Sequence, residues 1–263
     1  MLELKNVSKT FFPGTVNERR ALVDLSLDMR AGDFVTVIGS NGAGKSTLLN
    51  AITGRLKIDR GEIVIDGVPV RRMPDYKRAR FYGRVFQDPM AGTAPDLTIE
   101  QNLALALRRG KPRGLRLGLD QKRRAFFKEQ LEMLGLGLEN RLGARVGLLS
   151  GGQRQAMSLL MAAFTQPSIL LLDEHTAALD PQRAAHVTQL TEKVVRDSNL
   201  TTLMITHNMA QAIELGNRLI MMHEGEIIYE LGPEEKAKVT VEELLDRFAS
   251  IKGAVVSDKS MLG

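Results

Sequence analysis

The chain has 263 residues, enough for one large α/β domain or two small ones, and its 43% apolar and 25% charged content is that of an ordinary globular protein. It has no cysteine, which excludes a disulfide framework and a thiolate metal site and fits a reducing cytosol. The longest unbroken apolar runs are about six residues, far short of the roughly 18 of a membrane-spanning helix. The net charge of +5 is uneven: Arg108, Arg109, Lys111, Arg113, Arg116, Lys122, Arg123 and Arg124 stand against one acid, Asp120, a local +7 that leaves −2 on the rest.

Taken in chain order, the N-terminal MLELKNVSK alternates like a strand and lacks an apolar core of signal-peptide length. Strands are predicted at 2–7, 23–29, 34–39, 62–67, 82–87, 168–173, 201–206, 218–223 and 226–231. Asp66-Gly67 and Glu224-Gly225 read as hairpin turns. Helical patterns occupy 45–54, 99–109, 120–135, 151–164, 181–196 and 208–215. The alternation of strands and helices predicts an α/β fold with a parallel sheet covered by helices, and the closely spaced early strands predict an antiparallel part. Residues 88–164 read as a helical insertion, after which the sheet resumes at 168. The expected organisation is one domain over 1–250 with a C-terminal tail over 251–263 and no internal repeat.

Between the strand FVTVI and an apolar helix lies Gly39-Ser40-Asn41-Gly42-Ala43-Gly44-Lys45-Ser46-Thr47, a G-x-x-x-x-G-K-[ST] loop in the strand–loop–helix setting its chemistry needs. Glycines let backbone N–H groups wrap phosphates, Lys45 puts a charge on the β and γ oxygens, and Ser46 offers a hydroxyl to Mg²⁺.

SILLLDEHTAALDP (168–181) runs a continuous apolar strand into Asp173 and Glu174. Such a strand is buried on both faces, and its carboxyl end lies where open α/β sheets bind ligands. Asp173 is the expected Mg²⁺ carboxylate and Glu174 the general base on the attacking water. Asp180 before Pro181 also reads as a helix N-cap, a role compatible with a functional one. Gln87 and His207 end two further strands; each taken alone is more often a structural residue.

LLSGGQRQ (148–155) opens a helix on two glycines. Ser150 and Gln153 have capping-box spacing, but Gly151 and Gly152 each cost about 1 kcal/mol against alanine inside a helix. Bare N–H groups at the positive end of a helix dipole suit a closely approaching anion such as phosphate.

Together these residues resemble the nucleotide-binding subunit of an ABC transporter, over about residues 2–250, with LSGGQ (149–153) as the family's signature. The resemblance implies a P-loop NTPase core with a mixed sheet, an N-terminal antiparallel β part and an inserted helical subdomain. It also implies that the signature of one subunit closes on ATP held by the loop of another, so that Ser150, Gly151, Gly152 and Gln153 contact a partner's nucleotide. By the same resemblance Gln87 senses Mg²⁺ and touches the transmembrane partner, His207 reaches the γ-phosphate, and Asp180 lies at the dimer interface. The adenine-stacking aromatic matches Phe11, with Phe12 as the alternative. His175 stands where many members have proline; a local polar contact is its expected role.

The resemblance implies an ATPase on the cytoplasmic face of the cell membrane that powers uptake through separate permease subunits. It would pair with a second ATP-binding subunit, in a homodimer, and work indirectly with a substrate-binding protein. The wording DEHTAALDP is similar to that of bacterial uptake systems, some tied to amino acids, aromatic ones included. The alternative is a soluble ABC-type ATPase acting on ribosomes, nucleic acid or cluster assembly. Lys45 and Ser150 lie about 105 residues apart with no sustained heptads between them, unlike chromosome and repair members. Segment 108–124 reads as a solvated face, a face for anionic lipid, or a nucleic-acid patch; it has no alternating aromatics to stack bases, and nucleic acid is not expected as a partner.

Overall fold

The computed structural model describes residues 1–111 and 118–250. The predicted tail 251–263 and residues 112–117 of the basic segment lie outside the described residues. The strands are β1 (Leu2–Phe11), β2 (Arg19–Met29), β3 (Phe34–Gly39), β4 (Arg60–Ile65), β5 (Val68–Pro69), β6 (Tyr82–Val85), β7 (Ile169–Asp173), β8 (Thr202–Ile205), β9 (Arg218–His223) and β10 (Glu226–Leu231). The helices are α1 (Lys45–Thr53), α2 (Asp75–Arg78), α3 (Ile99–Leu107), α4 (Gln121–Glu132), α5 (Gly151–Ala163), α6 (Pro181–Asp197), α7 (Met209–Glu214) and α8 (Pro233–Lys236).

Two sheets carry the fold. One is antiparallel, in the order β2-β1-β4-β5; the other runs β10-β9-β3-β8-β7-β6. In the second sheet β9, β3, β8, β7 and β6 are parallel and only β10 is antiparallel. This is the mixed α/β architecture expected from the alternation of elements. Leu170, Leu171 and Leu172 show why β7 is continuously apolar: all are fully buried, Leu171 against the antiparallel sheet and α1, Leu170 and Leu172 against α5 and the helical side. Between β6 and β7 lie α3, α4 and α5, packed around Phe127, Leu131 and Met157.

Local differences from the predicted elements have physical causes. Strand β1 continues to Phe11, pairing it with Arg19, although bulges between Leu4 and Thr10 break the alternation that marks a strand. Both hairpin turns form, with left-handed Asp66, Gly67, Glu224 and Gly225. Residues 241–250 are helical although no helix is predicted there; Thr240 and Glu243, spaced as a capping box, form a reciprocal cap at 3.2 and 3.0 Å. The short α2, β5 and α8 carry too few residues to show a period.

Buried polar side chains fasten this frame. Lys236 of α8 donates to Thr36 Oγ1 at 3.2 Å and to the carbonyls of Leu215 and Arg218, and burial pushes its ammonium down to about 8. His175 is 1% exposed with Nε2 at 2.9 Å from Thr191 Oγ1, the local polar contact expected of it. Thr191 passes its own proton to Val187 O, so the imidazole donates to it. Burial pushes this imidazole down from 6.5 to about 4.

Two predictions follow from packing. A Cβ at Gly83 would lie 2.3 Å from Ala162 O, where β6 crosses α5. Gly83→Ala is therefore expected to destabilise the fold by about 2 kcal/mol, read by urea unfolding. For His175 the unfolded chain takes up a proton near 6.5 and the folded chain only near 4, so the stability it confers is present above 6.5 and is lost as pH falls through that window. Relative to a His175→Leu variant, the protein should lose roughly 2 kcal/mol between pH 7.5 and 5, measured by paired urea titrations.

Candidate functional site

Four adjacent parallel strands, β3, β8, β7 and β6, deliver their carboxyl ends to one edge of the sheet. The loop after β3 is the glycine-rich one. A Cβ at Gly39 would sit 2.3 Å from Met222 O, and one at Gly44, whose φ is +101°, 2.3 Å from Ala21 O, so only glycine fits the curl. Gly44 also occupies the N-cap of α1 and offers it no side-chain hydrogen bond. The first N–H groups of α1 thus face the loop without a side-chain acceptor, the condition under which a helix start binds phosphate. Lys45 is buried, its Nζ donating to Gly39 O at 2.6 Å and Ser40 O at 3.0 Å. Burial lowers its pKa, and the charges of Glu174 and Asp173 oppose that shift.

Strand β7 ends on the acid pair. Asp173 accepts from Arg84 of β6 at 2.6 Å. Glu174 has left the strand with φ +46°, a left-handed conformation that a non-glycine residue holds only when its surroundings impose it. Its N–H donates to Ile205 O at 3.0 Å, which locks the turn onto β8. Its Oε1 lies 2.5 Å from Nε2 of His207, the residue that follows β8 after Thr206. Glu174 is 13% exposed and His207 46%, so the histidine shields the acid from one side and meets solvent on the other. Thr206 and Asn208 fix this turn through Gln211, which bonds Thr206 Oγ1 at 2.8 Å and Thr188 Oγ1 at 2.9 Å.

Gln87 lies just past β6 on the same edge and is exposed. Phe11 is half-buried at the end of β1, opposite Arg19, whose Nη2 donates to Gly42 O of the loop at 2.8 Å. Phe12 is 66% exposed with φ +50°. The ring connected to the phosphate loop through its strand partner is therefore Phe11.

The LSGGQ turn stands apart. Ser150 Oγ accepts from Gln153 N at 3.3 Å and Gln153 Oε1 from Ser150 N at 3.1 Å, so the capping box forms. A Cβ on Gly151 would meet only Leu179 Cδ2, at an ordinary 3.4 Å. Neither backbone conformation nor packing inside this chain demands glycine there. Among the described residues no hydrogen bond or ion pair joins the LSGGQ turn to the phosphate loop. Asp180 caps α6 through Arg183 N at 3.1 Å, with Pro181 in the first turn, and is exposed. Three participants escaped sequence reading: Arg84 against Asp173, Arg19 on the loop, and Gln155, whose Nε2 donates to Phe86 O at 3.0 Å beside Gln87. Gln155 follows LSGGQ by two residues, a signal that was present but had no stated partner.

The donors near the loop are a hydroxyl (Ser46), a carboxylate (Asp173) and an amide oxygen (Gln87), all hard oxygen ligands of the kind Mg²⁺ takes. Among the described residues no group of three His, Cys, Asp or Glu forms an all-protein metal cage. That set fits an ion completed by phosphate and water.

The sequence profile of the ABC transporter family matches residues 22–177. The tyrosine transport ATP-binding protein of Clostridioides difficile (strain R20291) is 47% identical over 94% of this chain and 98% of its own length. The xylose/arabinose import ATP-binding protein XylG of Sulfolobus acidocaldarius is 33% identical over 95% of each. The dimeric post-hydrolysis structure of the ATP-binding cassette MJ0796 bound to ADP and Pi superposes with a TM-score of 0.75 at 33% identity, covering 89% of this chain and 99% of that one. The chain belongs to the ABC transporter family, as an ATP-binding subunit whose ATP hydrolysis powers uptake.

Proposed function

We propose that two copies of this chain close on two ATP molecules and drive uptake of an aromatic amino acid through separate permease subunits at the cytoplasmic face of the membrane. The observation that carries the catalytic part is the convergence of Lys45, Asp173, Glu174 and His207 on one sheet edge. In this reading the loop Gly39–Thr47 wraps the phosphates, with Gly39, Ser40, Asn41, Gly42, Ala43 and Gly44 supplying backbone N–H groups and Lys45 a charge. Phe11 stacks on the base through its face, for which a phenyl ring suffices. Ser46, Gln87 and Asp173 would hold Mg²⁺, which would neutralise the negative charge that develops on the phosphates. Glu174 takes a proton from the attacking water, and His207, within hydrogen-bond reach, orients that carboxylate and reports on the γ-phosphate.

The split site rests on Gly151. Its glycine is unexplained within one chain, and a phosphate approaching from a second chain explains it. Ser150, Gly152, Gln153 and Asp180 share that surface in this reading, and the dimeric cassette among the structural relatives supports it. The substrate class rests on the name of the tyrosine transport relative and its near full-length match. A substrate-binding protein would deliver the amino acid to the permease.

Permease docking finds support in the groove between α2 and α3, where Tyr76 is 72% and Leu105 60% exposed beside Lys77, Arg80 and Lys111. Among the described residues no helix is long and apolar enough to cross a membrane, and the permease subunits of this reading supply the span. The basic segment is only partly a solvated face: Arg109 is half-buried and donates to Ala162 O and Thr165 Oγ1, and Arg124 pairs with Glu100 at 2.7 Å.

Glu174→Gln is expected to lower ATP hydrolysis at least about 100-fold while leaving ATP binding intact, in a phosphate-release assay paired with nucleotide titration. Cells whose copy carries Lys45→Ala should lose uptake of labelled tyrosine while retaining uptake of an unrelated amino acid. Unchanged tyrosine uptake, with loss of another substrate's, would replace the assigned cargo and leave the ATPase reading standing.

A further inference from the structure

The mechanism above gives no task to Arg84, yet its surroundings are built around it. The side chain is 8% exposed and its partner Asp173 15%. Nη2 donates to Asp173 Oδ2 at 2.6 Å, and Nη1 to Asn50 Oδ1 of α1 at 2.9 Å. The guanidinium carbon lies 4.7 Å from the centre of the Phe86 ring, a cation–π contact. Nε is buried without a partner. A buried ion pair is a poor way to stabilise a fold, because desolvating two charges offsets most of their attraction. Arg84 pairs across the sheet with Leu171, and two residues earlier Tyr82 pairs with Ile169, so apart from Asp173 its surroundings on this face do not call for a charge.

We propose that Arg84 is a positioning residue and an internal counter-cation for the metal-binding carboxylate: it holds Oδ2 of Asp173, leaves Oδ1 to the metal, and competes electrostatically with the Mg²⁺ that arrives with nucleotide. Asp173 pairs with Arg84 through one oxygen, and its charge also acts on Lys45. A divalent ion brought to the same carboxylate meets a fixed positive charge across it. Arg84 therefore sets how much free Mg²⁺ the site requires, and it keeps Asp173 from capturing the ion without nucleotide. Through Asn50 the same fork ties the carboxylate to the helix that starts at the phosphate loop, so the acid and the loop keep one spacing.

The proposal rests on Asp173 being the metal carboxylate, and the test separates the two claims. Free Mn²⁺ is counted by electron paramagnetic resonance while Mn²⁺ is titrated into full-length protein with ADP limiting. Arg84→Gln, which can still donate a hydrogen bond, and Arg84→Met are each expected to lower the Mn²⁺ midpoint roughly fivefold. Arg84→Lys, which keeps the charge, should stay within about twofold of the parent. Melting curves without nucleotide verify that each variant is folded, and Arg84→Gln serves if Arg84→Met is not. An unchanged or raised midpoint in Arg84→Gln, with Asp173→Asn weakening Mn²⁺ binding, overturns the counter-cation role alone. An unchanged midpoint in Asp173→Asn overturns the reading of Asp173 and the proposal with it.

Discussion

The site depends on one constraint: a parallel sheet points all its carboxyl ends the same way. Strands β3, β8, β7 and β6 are neighbours, so the phosphate loop, His207, the Asp173–Glu174 pair and Gln87 share one edge without a long connection. Covering both faces of that sheet with apolar side chains keeps its strands from sliding, and a slip of one residue would exchange the two faces of β7. The polar residues at the strand ends can then be few and exactly spaced by the pleat. Lys45 remains buried yet useful because two acids face it.

The second level of organisation links that edge to the helices inserted between β6 and β7. Gln155 of α5 holds the carbonyl of Phe86, one residue before Gln87, and Gly83 of the same strand lies against α5 with no room for a Cβ. The helix that opens on the LSGGQ turn is therefore seated directly on the strand that leads into Gln87. A displacement of either would be felt by the other, since packed interiors move as bodies and do not stretch. Arg109, which lines the exposed groove beside α2 and α3, donates to Ala162 O of the same helix α5.

Most of this frame was legible in the sequence because its signals were redundant. The phosphate loop sits between an apolar strand and an apolar helix; the acid pair ends a strand with no polar interruption; both hairpin turns pair an acid with a glycine. What stayed unread depends on distant partners. Arg84 looks like an ordinary strand residue until Asp173, 89 positions away, is placed beside it. Lys236 reads as a surface lysine, yet it reaches Thr36 across 200 positions and is buried. The left-handed turn at Glu174 leaves no mark in the residue type, because it is imposed by the bond to β8. The helical residues 241–250 are a different case: their cap, Thr240 three residues before Glu243, is visible in the sequence itself.

The central claim is that each ATP site is shared, one chain giving the phosphate loop and a second giving the LSGGQ turn. Light scattering on a size-exclusion column tests it, with hydrolysis blocked by Glu174→Gln and one further change, Gly151→Asp, that puts a carboxylate where the partner's phosphate would come. The account predicts that ATP doubles the mass of the blocked protein. It also predicts that the added Gly151→Asp keeps the protein monomeric while its own loop still binds ATP. A dimer that survives Gly151→Asp, or a Gly151→Asp monomer that no longer binds ATP, would contradict it.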